Sequence, residues 1–226
     1  MPYSKSKARK EFDLLTSCLF NRAKDAYKSK TISYDTKQMV FQSFFFSTSA
    51  NIENYLVDVF SDWVKKIKSI ENKNLNLPEN LRTRILIEKQ KQNVLNYWVN
   101  GDDNKLFNKL NIKSDIYNVI HDHLPTNINQ SNILMANKYP SVKNIKTVFL
   151  RVGIKDIFGE IRRKRKRDVE LDLRSFLDIR ENIAHSSPDT ITIQTLKTNY
   201  CNILGFINAV DRVLFTIIKV KFWTNC

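Results

Sequence analysis

The sequence predicts an all-α fold, and three observations carry that prediction. Only four glycines and five prolines occur in 226 residues, too few turn-formers for the many short strands of a sandwich or barrel. Apolar residues recur at threes and fours, the helical period, over long uninterrupted stretches. Hydrophobic residues make up 42% of the chain, enough for a sizeable core. The expected architecture is a helical bundle in a single domain over 1–226, with extra short helices and a long closing C-terminal helix; no internal repeat or linker interrupts it.

Residues 9 to 28 read RKEFDLLTSCLFNRAKDAYK and set Phe12, Leu15, Leu19, Ala23 and Tyr27 at helical spacing, which predicts a first amphipathic helix. After a loop around Ser29 to Asp35, the stretch from Thr36 to Ser69 holds neither glycine nor proline. In it Val40, Phe44, Ile52, Tyr55, Leu56, Val59, Trp63 and Ile67 repeat at threes and fours. One long helix is expected, with Ser47 to Ser49 as the place where it could bend. ENKNLNLPEN reads as loop, and Pro78 is placed to open a helix that runs to Val99 and stops at Gly101.

Between 102 and 150, patterns such as NKLFNKLN and SDIYNVIHDHL alternate with Asn- and Pro-bearing stretches and predict short helices. His121 and His123 flank Asp122, but residues at i and i+2 do not share a helix face and no further ligand is near. The expectation there is exposed loop, and no metal site. NIKTVFLRVGIKDIFG, residues 144 to 159, predicts a short helix ending near Gly153 and a turn into the next element.

Then come six consecutive cations, Arg162, Arg163, Lys164, Arg165, Lys166 and Arg167. Six in a row would wrap the whole circumference of a helix, so part of the run must be loop or a helix end free of packing. It is a solvated segment, a phosphate-tracking patch that would make these six residues RNA-binding, or a nuclear-localisation tag.

The next stretch, VELDLRSFLDIRENIAHSSP from Val169 to Pro188, organises the chain. As a helix it puts Val169, Leu173, Phe176, Leu177, Ile183 and Ala184 on one stripe, with Arg180 in the middle of it. Arginine is almost never fully buried unless paired, so a guanidinium there implies a carboxylate partner, a subunit seam or an anionic ligand. His185 follows five residues later, and these two are the candidate catalytic residues. Residues five apart on a continuous helix lie about 140° apart around its axis. Their convergence needs either a helix that loosens before His185 or two copies facing each other across a two-fold axis. Ser187, before Pro188, is disfavoured in the α region and puts the helix end close to His185. Beyond it, Thr192 is the expected N-cap of the closing helix, with Ile191 and Leu196 as its hydrophobic staple. Leu196, Tyr200, Ile203, Leu204, Ile207, Val210, Leu214 and Ile218 continue its apolar face, and after Val210 the helix reads as apolar nearly all round, hence buried or paired with another subunit.

Lysine and arginine outnumber aspartate and glutamate 37 to 23, a formal charge of +14 that draws the protein toward polyanions, nucleic acid first and an anionic membrane surface second. No run of about 18 apolar residues and no signal peptide is evident, so a soluble, cytoplasmic protein without a membrane partner is expected. Cys18, Cys201 and Cys226 are odd in number and far apart, which fits a reducing compartment.

RENIAH at 180 to 185 has the form R-x4-H. With the amphipathic LDLRSFLDI before it, the Ser-Pro break after it and the long closing helix, it resembles the HEPN superfamily of helical endoribonucleases, and within it the RiboL-PSP-HEPN type, whose motif commonly runs R-N-x-I-A-H. SANIENYLVDVF and NIKTVFLRVGI also sit where helices of that type are expected. The resemblance implies a homodimer in which Arg and His from each protomer line one cleft, no cofactor, and metal-independent cleavage of RNA by attack of the ribose 2′-OH on the adjacent phosphate. In that scheme Arg180 holds the phosphate and its developing charge, and His185 is general base or acid. An unperturbed imidazole pKa of about 6.5 suits either role, while a place in the last turn of a helix favours the cation and so the acid.

The family usually has Asn, Asp or His directly after the arginine; this chain has Glu181, with Asn182 one step later. That carboxylate could pair with Arg180 or repel a phosphate, so Glu181 and Asn182 enter as supporting polar residues. The resemblance further implies a toxin or antiviral defence component, with an antitoxin or regulatory protein as a possible partner. Two other readings compete: a HEPN-like module that binds RNA or protein without cutting, and a helical DNA-binding or scaffolding protein that uses the 162 to 167 run.

Overall fold

The computed structural model describes residues 3–70, 77–78, 80–85, 132–134, 140–165, 168–185 and 190–222. Its elements are α1 (Lys7–Lys28), α2 (Tyr34–Ile70), α3 (Val142–Arg151), α4 (Ile157–Arg165), α5 (Val169–His185) and α6 (Ile193–Phe222). The described residues contain no strand, and the all-α expectation holds. The short helices predicted around NKLFNKLN and SDIYNVIHDHL, most of the Pro78 to Val99 helix, His121, His123, Lys166, Arg167 and Cys226 lie outside the described residues. At the Pro78 start, the carbonyl of Pro78 accepts from the N–H groups of Leu81 and Arg82, and residues 80–85 are helical.

The spine is α2, 37 residues and about 55 Å long at 1.5 Å per residue. It is helical without interruption through Ser47 to Ser49, so the suggested break is absent. Thr48 and Ser49 are buried there, and packing on both sides holds the rod. Phe44, Ile52, Tyr55, Leu56, Val59 and Trp63 are buried as their spacing predicts. Aromatic contacts tie α2 to its neighbours: Phe45 stacks on Phe176 of α5 and Phe60 meets Phe149 of α3 edge-on, each with ring centroids 5.4 Å apart.

In α1 the buried face meets the predicted one at Phe12, Leu19 and Ala23 and departs from it at Leu15 and Tyr27. Ala8, Arg9, Phe12, Thr16, Ala23 and Ala26 are buried, whereas Leu15 and Tyr27 are exposed. The reason is that α1 packs against both α2 and α6, and the small alanines let it approach them closely. Leu15 is one residue, or 100°, away from that face.

Helix ends follow local chemistry. The Ser6 hydroxyl accepts from the Arg9 N–H at the start of α1, and Ser141 does the same for Asn144 at α3. Thr192 caps α6 as expected, accepting from the Thr195 N–H at 3.1 Å, with Ile191 and Leu196 both buried beside it. α3 ends in a Schellman motif: the Ile154 N–H donates to the Phe149 carbonyl and the Gly153 N–H to that of Leu150. Gly153 has φ 85°, a left-handed conformation that a Cβ disfavours. Gly153→Ala is expected to cost about 1 kcal/mol of stability; an unchanged or higher urea midpoint would contradict the strain argument.

The closing helix corrects a second expectation. Within its nearly apolar stretch stands Asp211, only 3% exposed. Its Oδ2 accepts from the Tyr3 hydroxyl at 2.6 Å and the Ser6 N–H at 3.2 Å, and its Oδ1 from the Ser6 hydroxyl at 2.5 Å and the Tyr55 hydroxyl at 3.3 Å. Four donors satisfy the carboxylate's four lone-pair sites, so a buried charge becomes a knot joining the N-terminal segment, α2 and α6. Beside it, Arg9 is buried with its guanidinium on the Asp13 carboxylate and the Leu204 carbonyl.

Candidate active site

The residues of α5 divide by period into two faces. Val169, Leu173, Phe176 and Leu177 are buried, and Ile183 is partly buried against the same core. Ala184, expected on that stripe, is exposed. Asp168 opens the helix, its Oδ1 accepting from the Leu171 N–H at 3.1 Å. On the outer side Arg174, Asp178, Glu181 and His185 follow one another at intervals of four, three and four, the spacing of neighbours along one helix face.

That outer face forms one wall of an open groove of about 700 Å3. The opposite wall is α3 and the turn after it, contributing Lys143, Lys146, Thr147, Leu150 and Lys155. Glu170 joins the walls: its Oε1 receives Lys146 Nζ at 2.8 Å and the Arg174 guanidinium at 3.3 Å. One carboxylate thus serves two cations, and a net positive charge remains.

Arg180 lines the groove and is half-buried rather than seated in the core. Its guanidinium carbon stands 5.4 Å from the centroid of the Phe46 ring on α2. This cation over an aromatic face holds the planar group on a hydrophobic support. His185, the last residue of α5, is exposed and lines the same groove. The helix persists to His185, so no loosening before it brings the pair together; both border one groove of one subunit because the groove spans the end of the helix. Glu181 also lines it and is exposed, while Asn182 is exposed and lies outside the lining. Beyond the motif, Gln38 of α2 clamps the returning chain, its Nε2 donating to the Ile191 carbonyl at 3.1 Å and its Oε1 accepting from the Ile191 N–H at 3.0 Å.

Of the basic run, Arg162 and Arg163 are not in the lining of this groove. α4 runs to Arg165 and takes in the first four cations of the run. Arg162 is ion-paired with Asp168 at 3.4 Å and Arg163 with Glu160, and both are exposed. The side chains of Lys164 and Arg165, like Lys166 and Arg167, are outside the described residues. The lysines of α3 were missed because they are scattered in sequence; the signal was the sharp division of that helix, Ile145, Val148 and Phe149 inward and Lys143, Lys146 and Thr147 outward.

Among the described residues no group of three His, Cys, Asp or Glu side chains could hold a metal ion, and no helix is long and apolar enough to cross a membrane. Cys18 and Cys201 are free thiols at the surface.

Fold and groove define an all-α protein with an open, predominantly cationic groove bounded by two helices. The sequence pattern of the RiboL-PSP-HEPN family matches residues 6–215, and the chain belongs to that family, as the RENIAH hexapeptide led us to expect. HEPN proteins are often nucleases, and membership points to a ribonuclease-like or RNA-related function. No curated protein and no solved structure gives a match.

Proposed function

We propose that this protein is a metal-independent endoribonuclease in which Arg180 and His185 carry the reaction. The observation that supports it is that the two side chains of the R-x4-H motif line one open groove together with lysines from a second helix. The ribose O2′ loses its proton to a base and bonds to the adjacent phosphorus; the P–O5′ bond breaks and O5′ collects a proton. Products are a 2′,3′-cyclic phosphate and a 5′-OH. His185, exposed at the helix end, exchanges one of these protons. Arg180, braced on Phe46, binds the phosphate oxygens and the charge that builds on them.

A second copy completes the cleft in this reading. The two side chains leave α5 about 140° apart, and a two-fold partner sets one protomer's His185 against the other's Arg180 across a shared groove. A solution mass of twice 26.6 kDa by light scattering is the expected result. The cellular role that goes with this activity is that of a cytoplasmic toxin or antiviral defence component held in check by an antitoxin or regulatory protein.

The test is direct. Purified protein incubated with labelled single-stranded RNA in excess EDTA should cut it and leave cyclic-phosphate ends. Binding without any cleavage would favour the second reading, a HEPN module that holds RNA or a protein partner; what favours that reading is the pair of carboxylates, Asp178 and Glu181, on the groove wall beside the motif.

A further inference from the structure

Resting on the ribonuclease reading, we infer that the RNA backbone is held by the outer face of α3 and the turn after it, through Lys143 and Lys155, and not by Arg162 and Arg163. The charge that a ligand can use is the charge not already matched by the protein. Lys143 and Lys155 are exposed in the groove lining, and among the described residues neither has a carboxylate partner. Lys146, between them, shares Glu170 with Arg174 and adds a partly compensated charge. Arg162 and Arg163, by contrast, are engaged with Asp168 and Glu160 and do not line the groove.

The two walls also differ in sign. Among the described residues the charged side chains of the α3 wall are all lysines, while the C-terminal half of α5 offers Asp178 and Glu181 along with Arg180 and His185. A polyanion entering the groove lowers its energy by laying its phosphates along α3, where cations are unopposed, and meeting α5 only where Arg180 stands. The carboxylates of Asp178 and Glu181 then face the bases, whose exocyclic amino groups can donate to them. On this account Glu181 repels no phosphate, because the backbone runs along the other wall.

The experiment uses the His185→Ala protein, so that the probe survives, and a fluorescein-labelled single-stranded RNA of mixed sequence followed by anisotropy through a salt titration. Lys143→Gln combined with Lys155→Gln should weaken binding about tenfold or more at moderate salt and make the log–log salt slope shallower by about 0.7 for each phosphate that a lysine no longer neutralises. Arg162→Gln combined with Arg163→Gln removes the same formal charge and should leave the slope unchanged. All four lysines and arginines are exposed, and circular dichroism checks that the fold persists. A lysine variant that keeps the parent slope overturns the inference, and so does an equal loss from both pairs, which would reflect net charge alone. If the unsubstituted protein cuts RNA while the lysine pair is silent, only this assignment falls; if it neither binds nor cuts RNA, the ribonuclease reading falls and takes the assignment with it.

Discussion

His185→Ala is expected to lower the rate of RNA cleavage by about a hundredfold to ten-thousandfold, the usual loss when a general acid or base is removed. Arg180→Ala should cost a comparable factor, about a hundredfold to a thousandfold, by removing the donors that meet the developing phosphate charge. Both losses should appear without unfolding. His185 is exposed, and a surface substitution typically shifts stability by no more than about 0.5 kcal/mol. Arg180 gives up its place over Phe46, worth about 0.5–1 kcal/mol at a partly exposed site. Arg180→Lys keeps the charge but not the planar fork, and should fall between parent and alanine variant because Lys cannot bind two phosphate oxygens in that fixed geometry. Single-turnover cleavage, read alongside thermal midpoints, decides the matter. A real activity that survives both alanine substitutions would place the chemistry elsewhere in the molecule.

The largest effect on stability is expected at Asp211, far from the groove. Asp211→Ala leaves the hydroxyls of Tyr3, Ser6 and Tyr55 and the Ser6 N–H without their common acceptor. Tyr55 is fully buried and has no water to turn to, so a loss of about 3 kcal/mol or more is expected in urea denaturation. Asp211→Asn should do little better, since an amide turns two of its own donors toward a site built of donors. Burial, and then the adjacent Asp211 carboxylate, push the Tyr55 hydroxyl well above its ordinary range. Tyr3 is shifted the same way, by burial and then by its hydrogen bond to Asp211. A group whose folded-state pKa is raised holds its proton more tightly when folded. Its contribution is therefore intact below the unfolded value of about 10 and is lost as pH rises past it. The urea midpoint should begin to drop as pH rises past about 10 and go on falling above it, and Tyr55→Phe should flatten that drop while lowering the midpoint at neutral pH. A midpoint insensitive to this range would mean that the knot does not hold the fold together.

The amino-acid sequence by itself determined whatever depends on near neighbours along the chain. Helical period, the Thr192 cap, the stop at Gly153 and the family carried by RENIAH all rest on residues within a few positions of one another, where sterics and local hydrogen bonds decide. It also supplied Arg180 and His185 as the candidate pair, because an arginine at an apolar register position stands out without a structure. Only the tertiary structure decided what those residues meet. Phe46 supports Arg180 from a helix 134 positions earlier in the chain, Lys143 and Lys155 form the facing wall although nothing links them to the motif in sequence, and Asp211 becomes the centre of a knot with Tyr3, Ser6 and Tyr55. Arg162 and Arg163 of the conspicuous cation run, by contrast, are already matched by nearby carboxylates. The physical reason is the same in each case: a charge acts through the groups within a few ångströms of it, and packing, not sequence order, selects those groups.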